Sequence, residues 1–179
     1  MIIIKRVLLS LFVVFVMTAC ASLPDGIKPV EGFDVQRYLG KWYEIARLDH
    51  SFERGLSNIT AEYSIKDDGS IRVLNRGFKD SAQEWSEAEG KAKFTDAKDV
   101  GALRVSFFGP FYGGYNIIEL DKENYQYALI VGNNMKYLWI LSRSPILDPM
   151  IQERLISKAS ELGFPTNELI IVKHDKAKQ

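Results

Sequence analysis

Apolar and polar residues alternate with a period of two along most of this chain, the pattern of strands that bury one face and wet the other. Between Asn58 and Lys66, Ile59, Ala61, Tyr63 and Ile65 alternate with Asn58, Thr60, Glu62 and Ser64. Between Ala102 and Phe108, Leu103, Val105 and Phe107 alternate with Arg104 and Ser106. Six more short runs, Lys41 to Arg47, Ser70 to Phe78, Glu84 to Phe94, Gly114 to Asp121, Tyr125 to Gly132 and Lys136 to Arg143, bring the reading to eight strands. Asp67-Asp68-Gly69 and Asp121-Lys122-Glu123-Asn124 have the chemistry of tight hairpins, and Gly132-Asn133-Asn134 tolerates positive φ. Neighbouring strands therefore pair antiparallel, as an up-and-down meander. Its inner face takes Ile59, Ala61, Tyr63 and Ile65, then Ile71 and Val73, then Gly90, Ala92 and Phe94. The loop Leu48 to Ser57 is longer, contains His50, Phe52 and Gly55, and is placed to form a mouth or lid.

After the last strand the period changes. Asp148 can cap a helix that opens on Pro149, Gly163 can end it, and Ile151, Leu155, Ala159 and Leu162 share one face, so the helix packs outside the sheet. Glu168 to Lys173 makes one further short strand, pairing with the first. Eight antiparallel strands closed on themselves enclose a space that side chains fill or that holds a small ligand, and alternation does not choose between the two.

The amino-terminal segment follows another logic. Lys5 and Arg6, the apolar run Val7 to Val16 and the small pair Thr18-Ala19 have the three-part layout of an export signal. The run is shorter than the roughly 20 apolar residues that cross a bilayer. Cys20, the only cysteine, follows at once. The stretch resembles a bacterial lipoprotein signal, which implies cleavage before Cys20, a diacylglycerol on its thiol and an acylated amino terminus. Ala21 in place of aspartate points to the outer membrane. The chain thus divides into a signal peptide over 1–19, a lipidated tether over 20–32 containing Pro24, Gly26 and Pro29, and a barrel domain over 33–175.

Removal of Lys5 and Arg6 leaves 21 basic against 23 acidic residues, a net charge near −2, which offers nothing to nucleic acid. One cysteine, committed to lipid, leaves no intramolecular disulfide. His50 and His174 have no metal-site spacing and read as solvated surface residues, and no Gly-x-Ser-x-Gly elbow occurs. No cofactor or metal is expected.

Gly40-Lys41-Trp42-Tyr43, Tyr127 to Gly132 and Ile140-Leu141-Ser142-Arg143 together resemble a lipocalin. Trp42 to Arg47, Phe107 to Asn116 and Tyr137 to Arg143 resemble more narrowly the bacterial outer-membrane lipocalins related to apolipoprotein D. The resemblance spans Phe33 to Val172. It implies an all-β, eight-stranded up-and-down barrel with one carboxy-terminal helix outside. Trp42, beside Gly40, would plug the closed end, with the Arg143 guanidinium across its indole and donating to backbone carbonyls. An inward Arg143 makes Leu141, Trp139 and Tyr137 inward too, and the resemblance puts Tyr63 and Tyr115 inside. Glu44 shares the parity of Trp42 and must pair, meet water or stay protonated and bond a ligand.

The function so implied is storage or transport of a fatty acid or lysophospholipid in the bacterial envelope, on a lipid anchor facing the periplasm. The family also admits homodimers, with Phe108 and Phe111 to Gly114 as an apolar rim or a dimer surface. Three alternatives stand beside this: a lipocalin enzyme, for which Cys20 lies outside the barrel; a tetrapyrrole binder using Tyr63 or Tyr115; and a structural lipoprotein with a filled barrel.

Overall fold

The computed structural model describes residues 23–24 and 26–176, so the leader and Cys20 lie outside the described residues. Eight strands follow in order: β1 (Gly40–Arg47), β2 (Leu56–Ile65), β3 (Ile71–Lys79), β4 (Glu84–Phe94), β5 (Ala102–Phe108), β6 (Phe111–Leu120), β7 (Tyr127–Val131) and β8 (Leu138–Ser142). Each pairs antiparallel with the next, and β1 pairs with both β2 and β8, which closes the barrel. Closure removes the open edges that would otherwise template association. β9 (Ile170–Ile171) adds to β1 beside Ala46 and Arg47.

The chain runs upward in β1, so the closed end holds the start of β1 and the turns after β2, β4 and β6. The mouth holds the connections after β1, β3, β5 and β7. A short helix α1 (Val35–Tyr38), capped by Asp34 accepting from the Gln36 amide, lies under the closed end. Four residues are too few to show a helical period, so only the Asp34 cap could have announced it. Helix α2 (Pro149–Glu161) begins where expected, with the Asp148 carboxylate accepting from the Met150 and Ile151 amides. It stops before Gly163, whose φ is +87°.

Two cores result. Inside the barrel Trp42, Tyr63, Val73, Leu103, Ile117 and Ile130 pack together. Outside, Leu129, Val131, Leu138 and Ile140 meet Leu155 and Ala159 of α2. The run Ala128-Leu129-Ile130-Val131 is apolar at every position because both faces of β7 are covered.

Three expectations need correction. Ile65, expected inside, is 42% exposed, because Tyr63 already pairs with Gly40 and the end of β2 overruns the start of β1. The tether is attached earlier than Phe33: Ile27 is buried in the outer core, the Val30 amide donates to the Ile117 carbonyl, and the Val30 carbonyl accepts from Gly101. Alternation also fails in β1. Glu44 pairs with Leu141 but Ala46 pairs with Ile140, so Ile45 is the extra residue of a bulge. Ile45 and Ala46 both face the outer core, and Arg47 turns inward, to 2% exposure.

Candidate functional site

At the closed end Trp42 is wholly buried and its indole Nε1 donates to the Tyr38 carbonyl. The Arg143 guanidinium lies 4.0 Å over the indole and donates to the carbonyls of Tyr125, Lys41 and Arg37 at 3.2, 2.9 and 2.8 Å. Three segments are thereby fastened across the base of the barrel by one rigid fork. Gly40 takes φ +89°, a conformation open to glycine, directly above this guanidinium.

Above the plug the barrel is hollow. A cavity of about 680 Å³ extends from Tyr38, Glu44 and Leu141 up past Trp139 and Tyr137 to Phe108 and Tyr112 at the rim. Its wall is mostly apolar, with Ile59, Val73, Leu103 and Val105 contributed by the alternation of β2, β3 and β5. The filled-barrel alternative therefore does not describe this molecule. Every cavity residue expected from the sequence, Tyr63, Tyr115, Trp139, Tyr137 and Glu44, lines it.

Besides the single Asn75 side chain of β3, two polar clusters interrupt the wall. Low in the barrel the Tyr115 hydroxyl lies 2.7 Å from that of Tyr38 and 2.8 Å from that of Tyr63. Burial pushes all three phenols up from their ordinary value, so they stay neutral and satisfy one another. Tyr38 was missed because it sits on α1 and not on a strand.

The second group is ionic. Arg47, turned in by the bulge, donates from Nη1 to Glu44 Oε1 at 3.3 Å and from Nη2 to the Glu53 carbonyl at 3.0 Å. The Glu53 carboxylate accepts from the Trp139 indole at 3.1 Å and lies 3.0 Å from His50 Nε2, a close contact without hydrogen-bond alignment. Glu44, Arg47, His50 and Glu53 are all buried. Burial first, and the neighbouring Glu53 carboxylate second, raise the Glu44 carboxyl well above its ordinary 4.5, while Arg47 opposes them. A single arginine thus meets the Glu44 carboxyl and the Glu53 backbone carbonyl, while the Glu53 carboxylate stands near Glu44 without bonding Arg47, and the proton kept by Glu44 lowers the cost of that crowding.

Both histidines depart from the expectation of solvated residues. His50 is buried because it continues an aromatic stack, 3.9 Å from the Phe52 ring and 5.2 Å from Trp139. His174 is half-buried and its Nε2 meets the Glu44 carbonyl at 2.7 Å, stitching the tail to β1. Among the described residues no group of three or more His, Cys, Asp or Glu side chains could hold a metal ion.

The comparisons agree with this geometry. The lipocalin-like domain family matches residues 33–174. The outer membrane lipoprotein Blc of Vibrio cholerae is 54% identical over 156 residues, 87% of this chain and 91% of that protein. Apolipoprotein D of Rattus norvegicus is 37% identical over 127 residues, 66% of this chain and 65% of that protein. The solved structure of insecticyanin from Manduca sexta superimposes with a TM-score of 0.68 at 24% identity, covering 87% of each chain, and shows the same fold. A plugged, hollow, eight-stranded barrel and these likenesses lead to one assignment: the chain belongs to the lipocalin family, among its lipid-anchored outer-membrane lipoproteins.

Proposed function

We propose that this protein binds a single-tailed amphiphile, a fatty acid or a lysophospholipid, tail down in the barrel, and stores or carries it along the envelope. The observation that carries this reading is the cavity of about 680 Å³, apolar along its wall, open at one end and plugged at the other by Trp42. Its size is that of a small-ligand site. Each methylene buried there contributes roughly 0.8 kcal/mol, so a dozen gross on the order of 10 kcal/mol before the costs of association. Polar Asn75, Ser86 and Asn133 line the cavity from β3, from the mouth half of β4 and from the mouth connection after β7, which suits a headgroup held near water. Cleavage after residue 19 and acylation of Cys20 supply the anchor, since several acyl chains hold a protein on a membrane where one does so marginally.

Binding, and not catalysis, is the role we assign to the cavity. Tyrosinate ligation of a tetrapyrrole iron is disfavoured, because Tyr63 and Tyr115 are held in mutual hydrogen bonds with their phenols pushed up. Mass spectrometry of an organic extract from protein purified out of its own envelope should find single-chain lipid in near-stoichiometric amount. After delipidation, a fluorescent fatty acid should bind saturably. A Soret band in the purified protein, or unsaturable uptake of the probe, would overturn the reading.

A further inference from the structure

The floor of the cavity holds a hydrogen-bond donor that the protein itself does not use. Tyr38 of α1, Tyr63 of β2 and Tyr115 of β6 all line the cavity, and their three hydroxyls meet in two contacts, both made to Tyr115. Each neutral phenol brings one proton. Two contacts engage two of the three, whichever way each bond runs, so one O–H is left without an acceptor. Among the described residues no further hydrogen bond leaves these hydroxyls. Glu44, also low in the wall, is bonded to Arg47 instead.

Packing holds this donor in place. The Tyr38 ring centre lies 4.6 Å from that of Trp42 and 5.4 Å from that of Tyr63, and the Tyr63 and Tyr115 centres are 6.1 Å apart. Burial pushes all three phenols up, so none gives its proton away near neutral pH. Ile71, Val73 and Leu103 of the same inner core have side chains without an acceptor, and a buried donor is costly to leave unpaired. Tyr115 stands four residues into β6 from Phe111 at the rim, about 13 Å of strand, so a headgroup kept at the mouth stays well above the hydroxyls. What reaches them is the far part of the tail. A methylene laid there leaves the O–H unpaired, whereas a hydroxyl or carbonyl oxygen accepts its proton.

We propose that the Tyr38, Tyr63 and Tyr115 hydroxyls form a second, deep recognition point that selects acyl chains bearing a hydroxyl or keto oxygen in their far half over plain chains. The proposal rests on the carrier reading and deepens it: the mouth takes the headgroup, the wall the methylenes and the phenols one oxygen. Discrimination at such a point is sharper than apolar contact gives, since an oxygen carried into a dry pocket without a partner is rejected.

The anchored protein in phosphatidylcholine vesicles, loaded with a fluorescent fatty acid, provides the test by displacement. The competitors are stearic acid, its isomers hydroxylated beside the carboxyl, at mid-chain or near the methyl end, and the matching ketones; vesicles without protein give the share of each that the bilayer takes. At least one isomer oxygenated at mid-chain or beyond should displace the probe about fivefold better than stearate, the net worth of one hydrogen bond. The isomer hydroxylated beside the carboxyl should not, and the ketone should match its alcohol, because the phenols donate. Tyr38→Phe, Tyr63→Phe and Tyr115→Phe combined keep the rings and remove the three hydroxyls together, so that no phenol is orphaned. In that variant the preference should reverse, with the oxygenated isomer falling below stearate. Stearate matching every oxygenated isomer in the parent would overturn the proposal, as would an alcohol preferred while its ketone is rejected, or a preference that survives in the triple variant. If the triple variant does not fold, the ranking of isomers and ketones by the parent decides alone. Failure of stearate and all its isomers to displace the probe would remove the carrier reading itself.

Discussion

Trp42 and Trp139 belong to one barrel and do different work in it. Trp42 is enclosed on every side and carries the Arg143 fork, so Trp42→Ala should cost about 3–5 kcal/mol of stability in urea unfolding and leave ligand affinity per folded molecule unchanged. Trp139 lines the cavity, so Trp139→Ala should weaken acyl binding several-fold in a barrel that still folds. Equal loss of affinity in both variants would refute this division. Glu44 governs a pH dependence. The folded protein keeps its proton to a higher pH than the unfolded chain, whose carboxyl titrates near 4.5, so folding takes up a proton in the window above 4.5. The stability due to protonated Glu44 is fully present below that pH and is lost as pH rises through the raised value. Glu44→Gln still offers an acceptor to Arg47 and cannot titrate. Its stability, followed by urea midpoints from pH 4.5 to 8, should fall less steeply with pH than the parent's; parallel curves would show that Glu44 is not the titrating group.

At the scale of elements, the outer core and the cavity are separated by one layer of sheet. Leu155 of α2 is wholly buried against the outward residues of β7 and β8, so Leu155→Ala should cost about 2–5 kcal/mol by opening a void there. It should not change affinity per folded molecule, because the inward side chains of those strands remain braced by their ladders; a large affinity loss in titrations would mean that α2 shapes the cavity. The same layering explains what could be read from the chain. The strands of β2, β3 and β5 were legible because one face is wet, and α2 because Asp148, Pro149 and Gly163 mark its ends. The bulge at Ile45 was not legible. Glu44-Ile45-Ala46-Arg47 carries no glycine or proline, and only the pairing of Ala46 with Ile140 and of Ile45 with the outer core reveals it. Strict alternation from Trp42 would point Arg47 outward, so its partnership with Glu44 and Glu53 could not be read from the sequence. His50 was misplaced for a related reason, since a loop histidine looks solvated until its stack on Phe52 and Trp139 is seen.

For the molecule as a whole, the decisive quantity is empty volume, which no residue pattern reports. Alternation gives the same sequence signal whether inward side chains meet across the axis or stop short of it. Here they stop short, and the free energy of the folded state should respond to whatever occupies the space. A ligand bound to the folded state alone adds about 2.7 kcal/mol at a hundredfold its Kd. For a chain of this length each kcal/mol moves the melting temperature by about 2–4 °C, so saturating fatty acid should raise it by roughly 5–10 °C in calorimetry. Val105 projects into the middle of the cavity from β5, and Val105→Trp would place an indole in space now vacant. That variant should melt near the parental temperature without lipid, since its ring enters a void and not a packed core, whose overfilling would cost about 1–3 kcal/mol. With lipid its melting temperature should hardly move. A full ligand-induced shift in Val105→Trp would place the acyl site elsewhere on the molecule.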